Sequence, residues 1–334
     1  MVTLGLLGAG RIGVVHAGNI ARNPRVRLAY VYDTNAAAAE TIAGESGASV
    51  APDVDTVLAD ASVDGVLIAS PTSTHVDLIT AAASAGKAIL CEKPIDLDIV
   101  RVNRCRQSLA GTDVPVQIGF NRRYDRSHRA LREAVRGGDI GALELLVITS
   151  RDVRPAPLAY LKVSGGIFRD MTIHDFDMAR FILGDDPIEE VHAVGSVMVD
   201  PALREFGDVD TAMVTMKAAS GALVHINNSR RCVYGYDQRI EAFGARGMVQ
   251  SENLRASTLV RHGANSTDAR EPLLDFFVER YAQAYIDELD EFVDVIAGLR
   301  QPQANFEDGR RALLLADAAW SSLNTGRPAR VVYD

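Results

Sequence analysis

The first 22 residues constrain this chain more than any other stretch. Thr3-Leu-Gly-Leu-Leu-Gly8 has the near-continuous apolar character of a short buried strand, Gly8-Ala9-Gly10-Arg11-Ile12-Gly13 follows, and Val14 to about Arg22 is helical. This is G-x-G-x-x-G in the order that makes it informative: strand, tight turn, helix start. Gly8 permits the turn. The missing side chain at Gly10 lets a pyrophosphate approach the backbone, and Gly13 lets helix and strand pack closely. The helix N-terminus then favours the phosphate charge. A second strand, Val26 to Tyr32, ends in Asp33, twenty residues after Gly13. A carboxylate there accepts from ribose hydroxyls and repels a 2′-phosphate, so these residues predict NAD rather than NADP. A glycine turn with a capping Asp is the competing reading.

The alternation continues as helix Ala36 to Ser46, strand Val63 to Ala69, helix His75 to Ala85, strand Lys87 to Cys91, helix Asp98 to Leu109 and strand Val114 to Phe120. Strands alternating with helices of this length predict an α/β domain with a parallel, doubly wound sheet. Ligands of such sheets bind at the carboxyl ends of the strands. The glycine loop, Asp33, the Ser70-Pro-Thr-Ser-Thr-His75 loop, Glu92-Lys93-Pro94 and Asn121-Arg122 all fall at those ends. Lys93 has a competing reading as a loop lysine paired with Glu92, His75 as a helix-start residue, and Arg122 with Arg123 as a solvated pair.

After Phe120 the pattern changes. Helix Tyr124 to Arg136 leads to strand Leu143 to Asp152, a proline-bearing loop, and then the strands Glu189–Val199, Asp210–Ala218, Leu223–Ser229, Gln238–Ala242 and Gly247–Ser251. Two helices, Leu274 to Gly298 and Phe306 to Leu323, close the chain. The expectation is an α+β second domain with an open, largely antiparallel sheet. The predicted division is 1–121 and 122–334, with the C-terminal helices able to pack back on the first domain. One sheet face needs helices over it, and the other must meet solvent or a partner, which points to an oligomer.

The 334 residues are long enough for two cores, and 47% hydrophobic with 24% charged residues is ordinary for a globular protein. A net charge of −9 and the absence of any Lys/Arg-rich run argue against nucleic acid. Cys91, Cys105 and Cys232 are scattered, without C-x-x-C or zinc-type spacing, so neither a disulfide framework nor a metal is expected. No apolar run approaches a membrane span, and the N-terminus lacks a basic and apolar leader. The expected location is the cytoplasm.

Within the second part, Asp170, His174 and Asp177 are four and three residues apart. On one helix they fall within an arc of about 60°. A histidine flanked by carboxylates suits proton transfer near neutral pH. A helix cap with a surface histidine is the competing reading.

These motifs together resemble the glucose-fructose oxidoreductase and inositol dehydrogenase family over nearly the whole chain. The resemblance rests on Gly-Ala-Gly-Arg-Ile-Gly at 8–13, Ser-Pro-Thr-Ser-Thr-His at 70–75, Glu-Lys-Pro at 92–94, and Asp-Met-Thr-Ile-His-Asp-Phe-Asp at 170–177. Tyr-Gly-Tyr-Asp-Gln-Arg at 234–239 adds similarity to the bacterial inositol 2-dehydrogenase branch. The resemblance implies NAD-dependent oxidation of a ring CHOH to a ketone, myo-inositol to 2-inosose, in a homotetramer built through the sheet faces. Scyllo-inositol or an aldose is the alternative substrate, and a non-catalytic sugar- or NAD-sensing regulator the alternative class.

The implied catalytic residues are Lys93, Asp170 and His174. His174 is the base, Asp170 orients it, and Lys93 stabilises charge on the reacting oxygen. Cofactor contacts are implied for Gly8, Gly10, Arg11, Ile12, Gly13, Asp33, Ser70, Thr72, His75, Glu92, Lys93 and Arg122. Polyol contacts are implied for Lys93, Arg122, Asp152, Asp170, His174, Asp177, Tyr234 and Tyr281. Tyr281 and Tyr285 have a competing reading as a core stripe on one helix. Tyr234 and Tyr236 alternate on a strand, so at most one faces a pocket. The loop Val153-Arg-Pro-Ala-Pro157 departs from the proline pattern of the resemblance and leaves the stereoisomer open.

Overall fold

The computed structural model describes residues 1–333. The chain divides into two compact units, Met1–Tyr124 with Gln283–Leu313, and Asp125–Ala282 with the residues from Leu314 onward.

The first unit opens with β1 (Val2–Leu7), α1 (Arg11–Arg22), β2 (Val26–Tyr32), α2 (Ala36–Ser46), β3 (Ser49–Val50) and α3 (Val54–Ala59). It continues with β4 (Gly65–Ile68), α4 (His75–Ser84), β5 (Ala88–Cys91), α5 (Ile99–Leu109) and β6 (Val116–Ile118). The sheet order is β3-β2-β1-β4-β5-β6, with every pairing parallel. β4 and β5 are buried at every position, as central strands of a parallel sheet with helices on both faces must be. β3 and α3 were not foreseen. β3 is two exposed residues, too short to leave a pattern. The doubly wound order reverses between β1 and β4, so Gly8–Gly13 and Ser70–His75 lie at neighbouring strand ends.

The second unit has α6 (Arg126–Gly137), β7 (Leu143–Arg151), α7 (Leu158–Leu161), α8 (Gly166–Asp170), α9 (Ile173–Leu183), β8 (Ile188–Ser196), β9 (Thr211–Ala218) and β10 (Leu223–Ser229). There follow β11 (Asp237–Gly244), β12 (Gly247–Ser251), a hairpin of β13 (Val260–Gly263) and β14 (Ser266–Arg270), and α10 (Phe277–Arg280). Of the last elements, α11 (Ala282–Ile296) belongs to the first unit from Gln283 on, α12 (Phe306–Thr325) passes from the first unit to the second after Leu313, and β15 (Ala329–Arg330) lies in the second. The seven-stranded sheet runs β12-β11-β7-β10-β9-β8-β15, antiparallel except for the β7–β10 pair.

One face of that sheet meets helices. Leu146, Ile148, Val214, Val224, Ile226 and Ile240 form a core with Leu131, Phe168, Phe176, Ile182, Leu315 and Ala319. The register puts Leu145, Val194, Met213, Leu223, Phe243 and Met248 on the opposite face, each between 41% and 55% exposed. Among the described residues no helix is long and apolar enough to cross a membrane.

Two expected helices differ. The stretch expected as one helix from Leu274 to Gly298 is split at Tyr281, where the chain passes from the second unit to the first. The stretch expected to carry Asp170, His174 and Asp177 on one face is split at Met171–Thr172.

Candidate active site

The glycine loop performs the three tasks its spacing assigns. Gly8 has φ +111°, and a Cβ there would lie 2.5 Å from the Ala69 carbonyl carbon and the Ser70 nitrogen at the end of β4. A Cβ at Gly13 would lie 2.2 Å from the Gly8 oxygen. A Cβ at Gly10 would meet nothing within 4 Å, so the backbone there is open to a ligand. Gly10 is also the N-cap of α1 and supplies no side-chain cap to the first turn, which begins with Arg11 and Ile12. Asp33 braces the loop: the Ala9 N–H donates to its Oδ2 at 2.6 Å and the Asn35 N–H to its Oδ1 at 2.7 Å. Each carboxylate oxygen keeps a second lone pair for a ribose hydroxyl.

The loops after β4 and β5 are tied together. Ser70 and Thr74 hydroxyls are 2.6 Å apart, and Thr72 begins the short 3-10 turn between β4 and α4. His75 is fully buried, with Nδ1 at 2.8 Å from the Pro94 oxygen and Nε2 at 2.9 Å from the Ser70 oxygen. Burial lowers its pKa against the opposing pull of the two carbonyls. Both ring nitrogens face protein carbonyls; a neutral ring donates its one N–H to one of them, so His75 ties into these loops through a single hydrogen bond at a time. Glu92 turns toward α1, where its Oε1 is 2.9 Å from His16 Nε2. Lys93 is half-buried beside it, in a loop further held by Arg101 donating to buried Asp96 at 2.9 Å. Arg122 and Arg123 are both buried, 5% and 3% exposed, which removes the reading as a solvated pair. Arg123 pairs with Asp308 at 3.1 Å.

In the second unit Asp170 is the last residue of α8, and His174 lies in the first turn of α9. The split between them has a cause. Thr172 Oγ1 donates to Asn228 Oδ1 on β10 at 2.7 Å, and the Thr172 N–H reaches back five residues to the Ile167 oxygen. Buried Asp175 completes the tie, accepting from Ser150 Oγ on β7 at 2.5 Å and from Asn228 Nδ2 at 2.7 Å. His174 is thus fixed by its sequence neighbours to two central strands. Asp177 is buried one turn further along α9.

Asp170 takes Arg230 Nη2 on Oδ2 at 3.0 Å and Tyr160 Oη on Oδ1 at 2.7 Å. Burial disfavours the Arg230 charge, but Asp170, Asp152 and Asp208 outweigh it and hold the guanidinium's pKa up. The Tyr160 phenol is pushed above its usual range by burial and then by Asp170, so it stays a donor. Asp152 follows β7, its N–H donating to the Ser229 oxygen at 2.9 Å. Arg230 and Tyr160 were not foreseen; a buried arginine after a strand leaves no local signature.

Tyr234 precedes β11 rather than lying in it, half exposed, its hydroxyl donating to Asp237 Oδ2 at 2.8 Å. Burial and the Asp237 bond push its pKa up to about 12. Tyr236 is buried, edge-on to Tyr281 at 6.2 Å. Tyr281 is 1% exposed, with Arg280 over its ring, so its ring belongs to the core of the second unit.

Residues 2–120 match the model of an oxidoreductase family with an NAD-binding Rossmann fold, and residues 128–250 match the GFO/IDH/MocA C-terminal domain. Inositol 2-dehydrogenase of Rhizobium meliloti is 48% identical over 323 residues, 96% of this chain and 97% of that protein. The chain belongs to the GFO/IDH/MocA oxidoreductase family. Among solved structures, a myo-inositol dehydrogenase from Corynebacterium glutamicum matches with a TM-score of 0.95 at 47% identity, covering 99% of each chain. Scyllo-inositol dehydrogenase from Lactobacillus casei with bound NAD(H) and scyllo-inositol matches at 0.92 and 29% identity, over 99% of each chain.

This GFO/IDH/MocA chain is an NAD-dependent oxidoreductase, and its loop fits the cofactor: open backbone at Gly10, a helix N-terminus without a side-chain cap, and a carboxylate at Asp33. Replacing Asp33 by Ser is expected to shift the NAD/NADP preference toward NADP by about ten-fold or more, since a tenfold change needs only about 1.4 kcal/mol. Steady-state kcat/KM with each cofactor measures it, and an unchanged ratio removes Asp33 from the ribose site.

Proposed function

We propose that this protein oxidises the carbinol of a cyclic polyol to a ketone, with myo-inositol as substrate and the 2-ketone as product. The observation that carries the proposal is the full-length 48% identity to an inositol 2-dehydrogenase, with Lys93, Asp170 and His174 in the motifs that suit the chemistry.

NAD+ supplies the acceptor for the hydride that leaves the carbinol carbon. His174 takes the hydroxyl proton as the C=O bond forms, acting as general base. Lys93 donates to the reacting oxygen and stabilises the negative charge that develops on it. Asp170, pinned by Arg230 and Tyr160, offers a fixed carboxylate to the imidazolium or to a ring hydroxyl. Arg122, Asp152, Asp177 and Tyr234 are the proposed polyol contacts. The Glu92–His16 and His75 bonds have Glu92 and His75 support the cofactor side without touching it. NMR of the product from myo-inositol and NAD+ tests the regiochemistry; a ketone at another carbon, or none, overturns it.

The same proposal has the protein act in the cytoplasm, where its buried, unpaired Cys91, Cys105 and Cys232 stay reduced. It assembles as a homotetramer through the exposed sheet face of Leu145, Val194, Met213, Leu223, Phe243 and Met248. A row of exposed apolar side chains such as Met248, Phe243, Leu145 and Leu223 on an open sheet face marks an interface. Leu223→Glu is expected to reduce the mass seen by light scattering from four chains to two or one while far-UV circular dichroism is kept. A wild-type protein that runs as a monomer contradicts the assembly.

A further inference from the structure

The first unit holds a buried group of ionisable side chains that the reaction above does not use. His16 on α1 is fully buried and bonded through Nε2 to Glu92 Oε1 at 2.9 Å. Glu288 on α11 is also fully buried, and among the described residues neither of its carboxylate oxygens has a hydrogen-bond partner. One atom from each of His16, Glu92 and Glu288 lies within 4.8 Å of the others. The Tyr285 ring stands edge-on to His16 at 5.7 Å, and Gln117 Nε2 on β6 donates to the Glu288 backbone oxygen at 3.0 Å. A Cβ at Gly119 would lie 3.0 Å from the Glu92 carboxylate, so the chain after β6 is shaped around that side chain.

Three carboxylates meet here: Glu92, Glu288 and Glu291. Glu291 is satisfied, accepting from Tyr124 Oη at 2.6 Å and the Gln303 N–H at 2.7 Å, with Arg300 at 3.4 Å. Glu92 has His16. Glu288 alone of the three has no hydrogen-bond donor among the described residues, and a fully buried carboxylate without a donor beside other carboxylates is disfavoured in its charged form. Glu288 therefore carries the proton, and burial followed by the Glu92 and Glu291 charges drives its pKa well above the usual carboxylate value.

We propose that Glu288 is a positioning residue that donates its carboxyl proton into the His16–Glu92 pair, directly or through one water, and so fixes the strand end that carries Lys93. A neutral carboxyl has one O–H to give, and a gap of this size is spanned by a small side-chain rotation or a bridging water. Glu92 then accepts from both His16 and Glu288, while its own N–H donates to the Ile68 oxygen on β4 at 2.9 Å. Lys93 is the next residue. This inference rests on Lys93 acting in turnover.

The test compares Glu288→Gln, which keeps a donor, with Glu288→Leu, which keeps only bulk. Glu288→Leu is expected to lower kcat by about ten- to a hundred-fold, as loss of alignment does, with the KM for NAD+ within about two-fold. Glu288→Gln is expected to retain kcat within about three-fold. A second arm needs no turnover. The unfolded Glu288 loses its proton near its ordinary pKa while the native one keeps it, so the native state binds more protons and wild-type stability falls as pH rises above about 4.3. Glu288→Gln lacks this loss, so its Tm is expected to gain on wild type steadily from about pH 5 to pH 8. Leucine with wild-type kcat overturns the positioning role. A Tm difference that does not change with pH overturns the proton on Glu288. One equivalent of divalent metal in the purified enzyme makes the three residues a metal site and overturns both. If wild type turns over no polyol, the function proposal fails, and the Tm arm still reads the state of Glu288.

Discussion

Lys93→Met is expected to lower kcat by about a hundred- to ten-thousand-fold while NAD+ affinity stays within a few-fold, because the ammonium acts on charge that exists only as the carbonyl forms. The surrounding loop makes this a test of chemistry rather than of folding. Glu92, Pro94 and Asp96 on either side of Lys93 are held by His16, His75 and Arg101, and methionine leaves those bonds in place. Lys93→Arg is expected to recover little, since the planar guanidinium cannot put a point charge at the same place. Fluorescence titration with NADH and steady-state rates separate the two quantities. Turnover that survives Lys93→Met removes the lysine from the reaction.

Arg230→Met is expected to lower folding stability by about 3–5 kcal/mol, the usual cost of leaving one side of a buried pair uncompensated. Arg230 is 1% exposed, its partner Asp170 is 11% exposed, and Asp152 and Asp208 also act on it. Removing the cation takes away the positive charge on which Asp170, Asp152 and Asp208 all act, and the hydrogen bond from Arg230 to Asp170. A fall in kcat should accompany the loss of stability, because the orientation of Asp170 goes with it. Urea unfolding and kcat on the same preparation check both. A stability change below about 1 kcal/mol would place Arg230 outside any energetically coupled pair.

The Rossmann unit was legible because its determinants are local. The glycines of 8–13 need particular backbone geometry, and β4 and β5 are apolar at every position because both faces are covered. The helix bounds 36–46 follow from a capping Asn35 and a left-handed Gly47 that the sequence displays openly. The site in the second unit was legible only in part. Asp170 to Asp177 has the composition of one continuous helix, and nothing within those eight residues announces the break. The break comes from Asn228, 56 residues from Thr172. Arg230 escaped notice for the same reason, since its burial depends on Asp170 rather than on its neighbours. Glu288 reads as one more polar position on an amphipathic helix until the packing shows what surrounds it.

The glycine loop, Lys93 and the Asp170–His174 segment together are proposed to serve the oxidation of an inositol ring. Initial rates of NADH formation from myo-inositol, scyllo-inositol and an aldose, with NAD+ binding measured in parallel, test it most directly. Turnover on myo-inositol is expected with kcat/KM about ten-fold or more above that of the aldose, a difference of about 1.4 kcal/mol. Tight NAD+ binding with no NADH formed from any polyol would contradict it and mark the protein as a cofactor-binding sensor.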